Sequence, residues 1–333
     1  MHPAAKSPQH GQALAALLLA NLFWGLSFPL IKAAGALQAH LSPEAGSWFI
    51  TACTLVPRFA LGAIIVAVLC RDSIRTLTRL ELKQGVALGL FALVGMVFQN
   101  DGLHYTSAST SAFLTQLYAI LIPVWLALCA RRSPPWTVWV SCALVLGGVA
   151  VLAQLDFGDL RLGRGELETL VSSVFFMGQI LQLDRPAYAQ NRALHVTLVM
   201  FVVEALGSGA MAWWTAPTPG DLLVPWMSMP WVAFMLALTV FCTVGAYVLM
   251  NAWQPKITAT EAGLIYCFEP VFASVMALFL PAWFAGWGGF SYANETVTRS
   301  LLVGGGLITA ANILIQLKPL SRPAAPATSS GST

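Results

Sequence analysis

Charged residues are scarce in this sequence: only 9% of its 333 residues are Asp, Glu, Lys or Arg, whereas soluble domains carry about 25%. A folded surface needs charge to be wetted, so an ordinary soluble protein is excluded. The net charge of +3 and the lack of any basic run longer than two residues also exclude an electrostatic nucleic-acid binder. The surface of this chain must instead meet hydrocarbon.

Metal-binding and catalytic patterns are missing as well. The six cysteines lie inside or at the ends of apolar runs, without the short spacings of metal ligands. The five histidines lie in the N-terminal segment or near the ends of apolar runs, and no Walker A motif occurs. We therefore expect no metal, no cofactor, no catalytic residue and no enzymatic activity.

What the sequence has in abundance is apolar length. Hydrophobic residues make up 57% of the chain and the mean hydropathy is +0.73. A bilayer core needs about 20 apolar residues per helix, and that window identifies ten segments. They cover residues 12–36, 47–70, 84–104, 109–130, 136–154, 166–185, 194–214, 231–252, 258–281 and 299–317. Residues 1–11 precede them, residues 155–165 connect two halves, and the Pro/Ala/Ser/Thr-rich tail 318–333 is expected to be disordered.

Lysine and arginine orient these segments, because they concentrate in cytoplasmic loops. With the N-terminus inside, the 17 basic residues divide twelve to five in favour of the cytoplasmic side. The sequence therefore predicts a multi-pass protein with both termini in the cytoplasm. Short loops favour the inner membrane of a bacterium.

The two halves of the chain share a repeated pattern. Residues 107–115, SASTSAFLT, resemble residues 258–266, TATEAGLIY, and a Pro-Val pair follows each copy, at Pro123 and Pro270. Five segments is an odd number, so the second half must enter the membrane from the opposite side. The loop charges agree, because the basic loop after the second segment has a counterpart after the seventh without Lys or Arg. We therefore predict an all-α integral membrane fold of ten transmembrane helices, arranged as two inverted-topology repeats of five, residues 12–154 and 166–317.

Four stretches also resemble a known family. They are residues 21–28 (NLFWGLSF) with Lys32 after them, Pro57-Arg58-Phe59, residues 106–123, and residues 262–273, which contain the motif Glu269-Pro270-Val271. Together they resemble the EamA-type domains of the drug/metabolite transporter superfamily over nearly the whole chain. The segment 281–298 departs from that family, which usually has a short turn there.

The resemblance implies a secondary transporter with a central cavity between the halves, working by alternating access. Its substrate would be a small organic metabolite, such as an amino acid or a drug-like solute, moved outward more often than inward and possibly with proton coupling. The partners are then this solute and the lipid bilayer, for a monomer or a homodimer. The alternative is a membrane-embedded enzyme or a channel for a small apolar or amphipathic solute.

Ionisable residues inside apolar segments are the first candidates for a site, since each costs about 2.5–3.5 kcal/mol at mid-bilayer. Glu269 lies within the ninth segment, and Pro270 frees the carbonyl of Tyr266 from its helix bond. Glu269 either binds a substrate amine or a coupling proton, or is a neutral carboxyl bonded to a neighbouring helix. Glu204 in the seventh segment is the second coupling candidate, with Arg58 or Lys32 as partners.

Lys32 and Arg58 lie towards the outer ends of their segments. Arg58 is expected to extend to the headgroups, and Lys32 either does the same or faces the cavity. Further candidates for substrate binding are polar or aromatic residues that either line a cavity or bond to adjacent helices. They are Ser111, Thr115 and Tyr118 on one helix face, Gln179 in the sixth segment, and the aromatic residues Trp24 and Tyr266.

Overall fold

A computed structural model of the chain describes residues 8–131, 133, 136–152, 162–183, 185–254, 257 and 265–317. Within these residues the secondary structure consists of helices and turns, and no strand is present. The predicted all-α class is confirmed. The helices are α1 (Pro8–Leu41), α2 (Ser47–Leu69), α3 (Arg79–Gly102), α4 (Ala108–Thr115), α5 (Tyr118–Cys129), α6 (Trp136–Leu152), α7 (Arg164–Leu183), α8 (Ala193–Thr215), α9 (Met229–Ala237), α10 (Ala246–Trp253), α11 (Glu269–Ala277), α12 (Leu280–Gly288) and α13 (Arg299–Leu317).

Six helical stretches in the described part of the chain are long and apolar enough to cross a bilayer, or seven if α11 and α12 form one bent span. The ten predicted segments all contain helix. If the bent pair counts as one span, three of the ten are too short or too polar to cross a bilayer by this measure. The helix α6 has only 17 residues and α13 is a shorter apolar helix of similar kind. The helix α7 begins with Arg164, Glu166 and Glu168, which lower its hydropathy.

Local signals set the ends of several helices. Thr78 and Glu81 form a capping box, so α3 begins five residues before the apolar segment predicted there. Ser107 caps α4 by accepting a hydrogen bond from the Thr110 amide at 2.9 Å. Gly289, with φ of +68°, ends α12 in the left-handed conformation that glycine adopts without strain.

Two of the predicted spans contain a two-residue turn within the helix, which we call a helix break. In the fourth span the turn at residues 116–117 separates α4 from α5, although residues 108–129 still form one continuous span, and in the ninth the turn at residues 267–268 precedes α11. The eighth span remains helical but contains a π-helix, Leu238–Gly245, between α9 and α10. π-Helical segments inside longer helices occur frequently at functional sites.

The segment 281–298, predicted as an insert outside the membrane, is helical in its first half. Helix α12 continues from α11 after a bend of 54°, and residues 289–298 then cross back as an extended strap. The backbone amide of Glu295 donates to the carbonyl of Ala277 at 2.9 Å. The Asn294 side chain accepts a hydrogen bond from the Ala282 amide at 2.8 Å. The strap is therefore held against both halves of the bent span.

Helix packing follows a regular pattern. The third span (α3) packs on the sixth (α7) and the seventh (α8), just as the eighth (α9 to α10) packs on the first and the second. The second packs on the seventh, the fourth on the ninth, and the fifth on the tenth. In the last pair, Gly148 and Gly304 face each other so closely that a Cβ on either would lie 2.8 Å from the other's carbonyl oxygen.

Candidate functional site

Three aromatic side chains from different helices meet at the middle of the bundle. Trp24 lies halfway along α1, and its ring contacts Tyr247 of α10 and Tyr266 edge-on, at centroid distances of 5.9 Å and 6.0 Å. All three side chains are partly exposed, although Trp24 contacts both tyrosine rings. We call the three residues the aromatic cage, and the accessible space beside them the cleft.

Glu269 lies at the point where the two broken spans meet. It is the first residue of α11, and its carboxylate accepts a hydrogen bond from the Gln116 amide at 3.3 Å. Tyr118, the first residue of α5, lies within electrostatic range of Glu269, as do Tyr247 and Tyr266. Glu269 is also partly exposed, as are the three tyrosines, whereas Gln116 is buried.

The helix breaks define the register of the repeat. When the match between residues 107–115 and 258–266 is extended without a gap, the break at 116–117 coincides with that at 267–268. Tyr118 is then the counterpart of Glu269. Matching by the prolines would pair Glu269 with Ile122, which lies one helical turn further on. In this register the equivalent residues of the two halves are both polar. They are Tyr118 and Glu269, which lie within electrostatic range of each other.

Two further polar contacts extend this site. The Gln179 amide reaches the Met200 sulfur at 3.5 Å and lies near the Tyr247 hydroxyl. The Tyr266 hydroxyl donates to the Gln254 side-chain oxygen at 2.6 Å. Each tyrosine of the aromatic cage thus has a glutamine nearby, and the bond to Gln254 fixes the direction of the Tyr266 ring.

The expectation for Arg58 is wrong. Its side chain does not extend to the headgroups but lies at the middle of α2, only 2% exposed. Its Nε donates to the Thr243 hydroxyl of the π-helix at 2.6 Å, and its Nη1 is buried without a hydrogen-bond partner. Pro57 and the apolar residues around it place Arg58 at a helix centre, where an unpaired side chain cannot reach water.

Glu204 is the other charged group at this depth. It lies at the middle of α8, is 1% exposed, and neither of its carboxylate oxygens has a hydrogen-bond partner. Glu204 is within electrostatic range of Arg58, and both groups are within electrostatic range of the Tyr247 hydroxyl. Arg58 and Glu204 are therefore two buried ionisable groups near Tyr247 of the aromatic cage.

Ser111 and Thr115 are engaged between helices. The Ser111 and Thr169 hydroxyls are 3.2 Å apart, linking α4 to α7. Thr115 accepts a hydrogen bond from the Gln99 amide at 2.9 Å, linking α4 to α3. Both are buried, so these two members of the predicted face tie α4 to its neighbours, whereas Tyr118 reaches the cleft.

Lys32 lies in a polar network at the end of the bundle predicted to face outwards. Its ammonium group donates to the carbonyl of Thr106, whose hydroxyl donates to Glu166 at 2.5 Å. Glu295 of the strap accepts a hydrogen bond from the Ala108 amide at 2.7 Å, at the start of α4. Glu166 and Glu295 both attract the Lys32 ammonium. Lys32 thus holds this end of the bundle together and lies away from the aromatic cage.

Arg164 enlarges the same network. It pairs with the buried carboxylate of Asp101 at 2.5 Å and with Glu168 at 2.8 Å. It also donates to the Tyr105 hydroxyl at 2.7 Å and lies 5.6 Å from the centre of the Trp48 ring. The polar residues at the end of the third span therefore serve an interhelical contact.

A second network closes the opposite end. Arg192 pairs with Glu81 at 2.8 Å and donates to the Thr76 hydroxyl at 2.7 Å. The nearby Glu81 carboxylate raises the pKa of the Arg192 guanidinium. His195 and Ser73 are 2.9 Å apart. The loop between the second and third spans is thus tied to that between the sixth and seventh.

The structure therefore gathers five of the predicted site residues at one cleft: Trp24, Tyr118, Gln179, Tyr266 and Glu269. Sequence reasoning missed Thr243, Tyr247 and Gln254, and it misplaced Arg58. A signal for two of them exists, because Thr243 and Tyr247 are four residues apart on one helix face. Among the described residues, no group of three His, Cys, Asp or Glu side chains is arranged to hold a metal ion.

Comparisons with known proteins agree with this architecture. A solved crystal structure is similar to the chain with a TM-score of 0.53 and 18% sequence identity, covering 90% of this chain and 96% of the other. An uncharacterized transporter of Archaeoglobus fulgidus is 23% identical over 308 residues, which cover 91% of this chain and 85% of the relative.

Residues 11–154 match the EamA-like transporter family. This match contains Trp24, Arg58, Gln116 and Tyr118, and the similarity to the archaeal relative extends through the second half. The resemblance predicted from the sequence is confirmed, because the first half of the chain matches the EamA-like transporter family.

Proposed function

We propose that this protein is a secondary transporter that moves a small organic solute across the membrane by alternating access. The observation that carries the proposal is the meeting of two broken helices at Glu269, at equivalent positions of the two halves. Broken helices near the bilayer midplane form the substrate sites of transporters built from inverted repeats. The family match of residues 11–154 and the transporter relative support the same function.

The helix packing supports ten spans in two inverted repeats. Exchanging spans one to five with spans six to ten converts the main contacts into one another: three with six becomes eight with one, and three with seven becomes eight with two. Spans two and seven, four and nine, and five and ten pack on their own counterparts. A two-fold axis in the membrane plane produces this pattern.

The polar networks support the proposed orientation. The Arg164, Lys32 and Glu295 network joins loops that the basic-residue count places outside, whereas the Arg192 and Glu81 network joins loops placed in the cytoplasm. We therefore propose a cytoplasmic position for both termini, and the bacterial inner membrane as the location. Opening one network while the other stays closed would expose the cleft to one side at a time.

The cleft favours a solute that carries an amine. A carboxylate at Glu269 attracts an ammonium group, and the rings of Trp24, Tyr247 and Tyr266 provide cation–π and apolar contacts. An amino acid or a drug-like amine fits this chemistry. A proton on Glu269 would compete with such a solute, which gives a direct route to proton-coupled export, with Glu204 as the second titratable carboxyl.

The test is counterflow in liposomes that contain the purified protein, with labelled amino acids and amine drugs. Wild-type protein should transport at least one of them, and an imposed pH gradient should accelerate the flux. Glu269→Gln should lower the flux by about tenfold or more, because it removes the charge that binds the ammonium group. Glu44→Gln, at an exposed position, is the matched control and should transport normally.

Two outcomes would contradict the proposal. Flux that ignores the pH gradient and survives Glu269→Gln would exclude the coupling and binding roles of this residue. Conduction of ions without saturation or counterflow would indicate a channel instead of a carrier.

A further inference from the structure

Arg58 combines deep burial with an unused donor. Its side chain is 2% exposed at the centre of α2, where a bare charge is costly. One nitrogen, Nε, is bound by Thr243, but Nη1 is buried without a partner. Buried guanidinium groups normally spend their donors on a carboxylate or on carbonyl groups.

Glu204 does not fill that role in this conformation. It is the carboxyl group within electrostatic range of Arg58, beside the weaker acids Cys242 and Tyr247. Both of its oxygens are nevertheless buried without a hydrogen-bond partner. A structural ion pair would bring these groups into contact, because leaving both desolvated and apart forfeits the attraction that offsets their burial. The two side chains therefore do not form a direct ion pair, and each keeps polar atoms without a partner.

Thr243 directs the guanidinium. Its hydroxyl donates to the carbonyl of Leu238 at 3.0 Å, five residues back along the π-helix, which leaves its oxygen free to accept from Arg58 at 2.6 Å. Because Nε is fixed in this way, the two Nη groups project in a defined direction. The π-helix thus serves to orient Arg58.

Tyr247 connects this pair to the cleft. It follows Thr243 by one helical turn, and its ring centre lies 5.9 Å from that of Trp24. Arg58, Glu204 and Glu269 all lie within electrostatic range of its hydroxyl group. Tyr247 therefore belongs both to the aromatic cage and to the surroundings of Arg58.

We propose that Arg58 is a second binding subsite, which recognises a carboxylate group of the transported solute. One guanidinium beside a carboxyl group neutralises at most one negative charge, so a singly charged carboxylate suits it better than a phosphate dianion. The inference rests on the proposed function and deepens it: the solute is a zwitterion, with its ammonium group at Glu269 and its carboxylate at Arg58. The aromatic cage then holds the apolar part between them.

The experiment compares each acid with its amide, which keeps the ammonium group but lacks the carboxylate. Counterflow is measured for leucine with leucinamide and for phenylalanine with phenylalaninamide. The wild-type protein should prefer each acid. Arg58→Lys keeps the charge but loses the planar fork, and it should lower the ratio of acid to amide flux by about tenfold.

A neutral double variant guards against misfolding. Arg58→Gln leaves Glu204 alone in the interior and is destabilised for that reason, whereas Arg58→Gln with Glu204→Gln leaves no unpaired charge. The double variant should elute as a folded protein, transport the amides, and lose its preference for the acids. Arg71→Gln, a change to an exposed arginine, is the control and should keep the wild-type ratio.

The outcomes separate the two hypotheses. An unchanged ratio of acid to amide flux in both Arg58→Lys and the double variant would overturn the carboxylate subsite while leaving the transport function intact. A wild-type protein that carries amides but no acids would do the same. Absence of any saturable flux would overturn the proposed function, and the subsite with it.

Discussion

Three ionisable side chains lie inside apolar segments, Arg58 and Glu204 at mid-helix and Glu269 at the start of α11, and they are held in different ways. Glu269 is bonded to Gln116 and partly exposed to the cleft, whereas Arg58 and Glu204 are buried with unused polar atoms. Each such group costs about 2.5–3.5 kcal/mol on insertion scales. Residues with this cost persist where a solute or a proton uses them, which is why the site is assigned around these three.

Gly148 is a residue at which a single methyl group should disturb the fold. A Cβ there would lie 2.8 Å from the Gly304 carbonyl oxygen and 2.7 Å from Ile308, so α6 and α13 would have to separate. Gly148→Ala should therefore destabilise the protein by about 1–3 kcal/mol. The measurement is the Tm of the purified protein in detergent.

Gly306 supplies the matched control for that substitution. It lies on α13, and a Cβ there would meet nothing within 4 Å. Gly306→Ala should leave the Tm unchanged or raise it slightly, since alanine favours a helix. Equal Tm values for both variants would show that the close approach of α6 and α13 does not limit stability.

At the scale of elements, the strap 289–298 is the part with the clearest structural role. Glu295 places a carboxylate at the start of α4, where its Oε1 accepts from the Ala108 amide at 2.7 Å and the helix dipole favours negative charge. The same carboxylate attracts Lys32. The strap therefore connects the bent ninth span to the fourth span at the end of the bundle that contains Lys32.

Glu295→Gln should loosen that connection by about 1 kcal/mol, because it replaces a charge-assisted hydrogen bond by a neutral one. Hydrogen exchange should become faster at residues 108–111, while α3 and α8 keep their protection. Glu44→Gln removes a carboxylate from an exposed position and should change none of these rates. Unaltered exchange at the start of α4 in Glu295→Gln would mean that the strap does not stabilise this helix.

Sequence patterns predicted most elements but not the irregular ones. Long apolar runs gave the helices, because hydrocarbon leaves few other structures available. Pro270 indicated an opened backbone after Tyr266, where the break at 267–268 lies, but no proline or glycine lies at 116–117, so composition could not place that break. Tyr118, Gln179 and Glu269 could be identified as polar residues in apolar segments. Arg58 was assigned to the headgroups because a single sequence does not show which distant residue it contacts, here the neutral Thr243.

At the scale of the whole molecule, inversion of the two halves requires that equivalent loops lie on opposite sides of the membrane. The loop between the second and third spans contains Arg75, and its counterpart between the seventh and eighth contains Asp221. In a background where Cys129, an exposed cysteine, is replaced by alanine, Arg75→Cys and Asp221→Cys provide one reporter on each loop.

A maleimide that cannot cross membranes should label Asp221→Cys in intact cells, and should label Arg75→Cys only after the cells are permeabilised. The reason is that five spans separate the two positions, and an odd number of crossings changes the side. The background protein without either reporter sets the level of labelling from the remaining cysteines. Labelling of both reporters from the same side would exclude the inverted repeat, and the alternating-access mechanism proposed here would lose its structural basis.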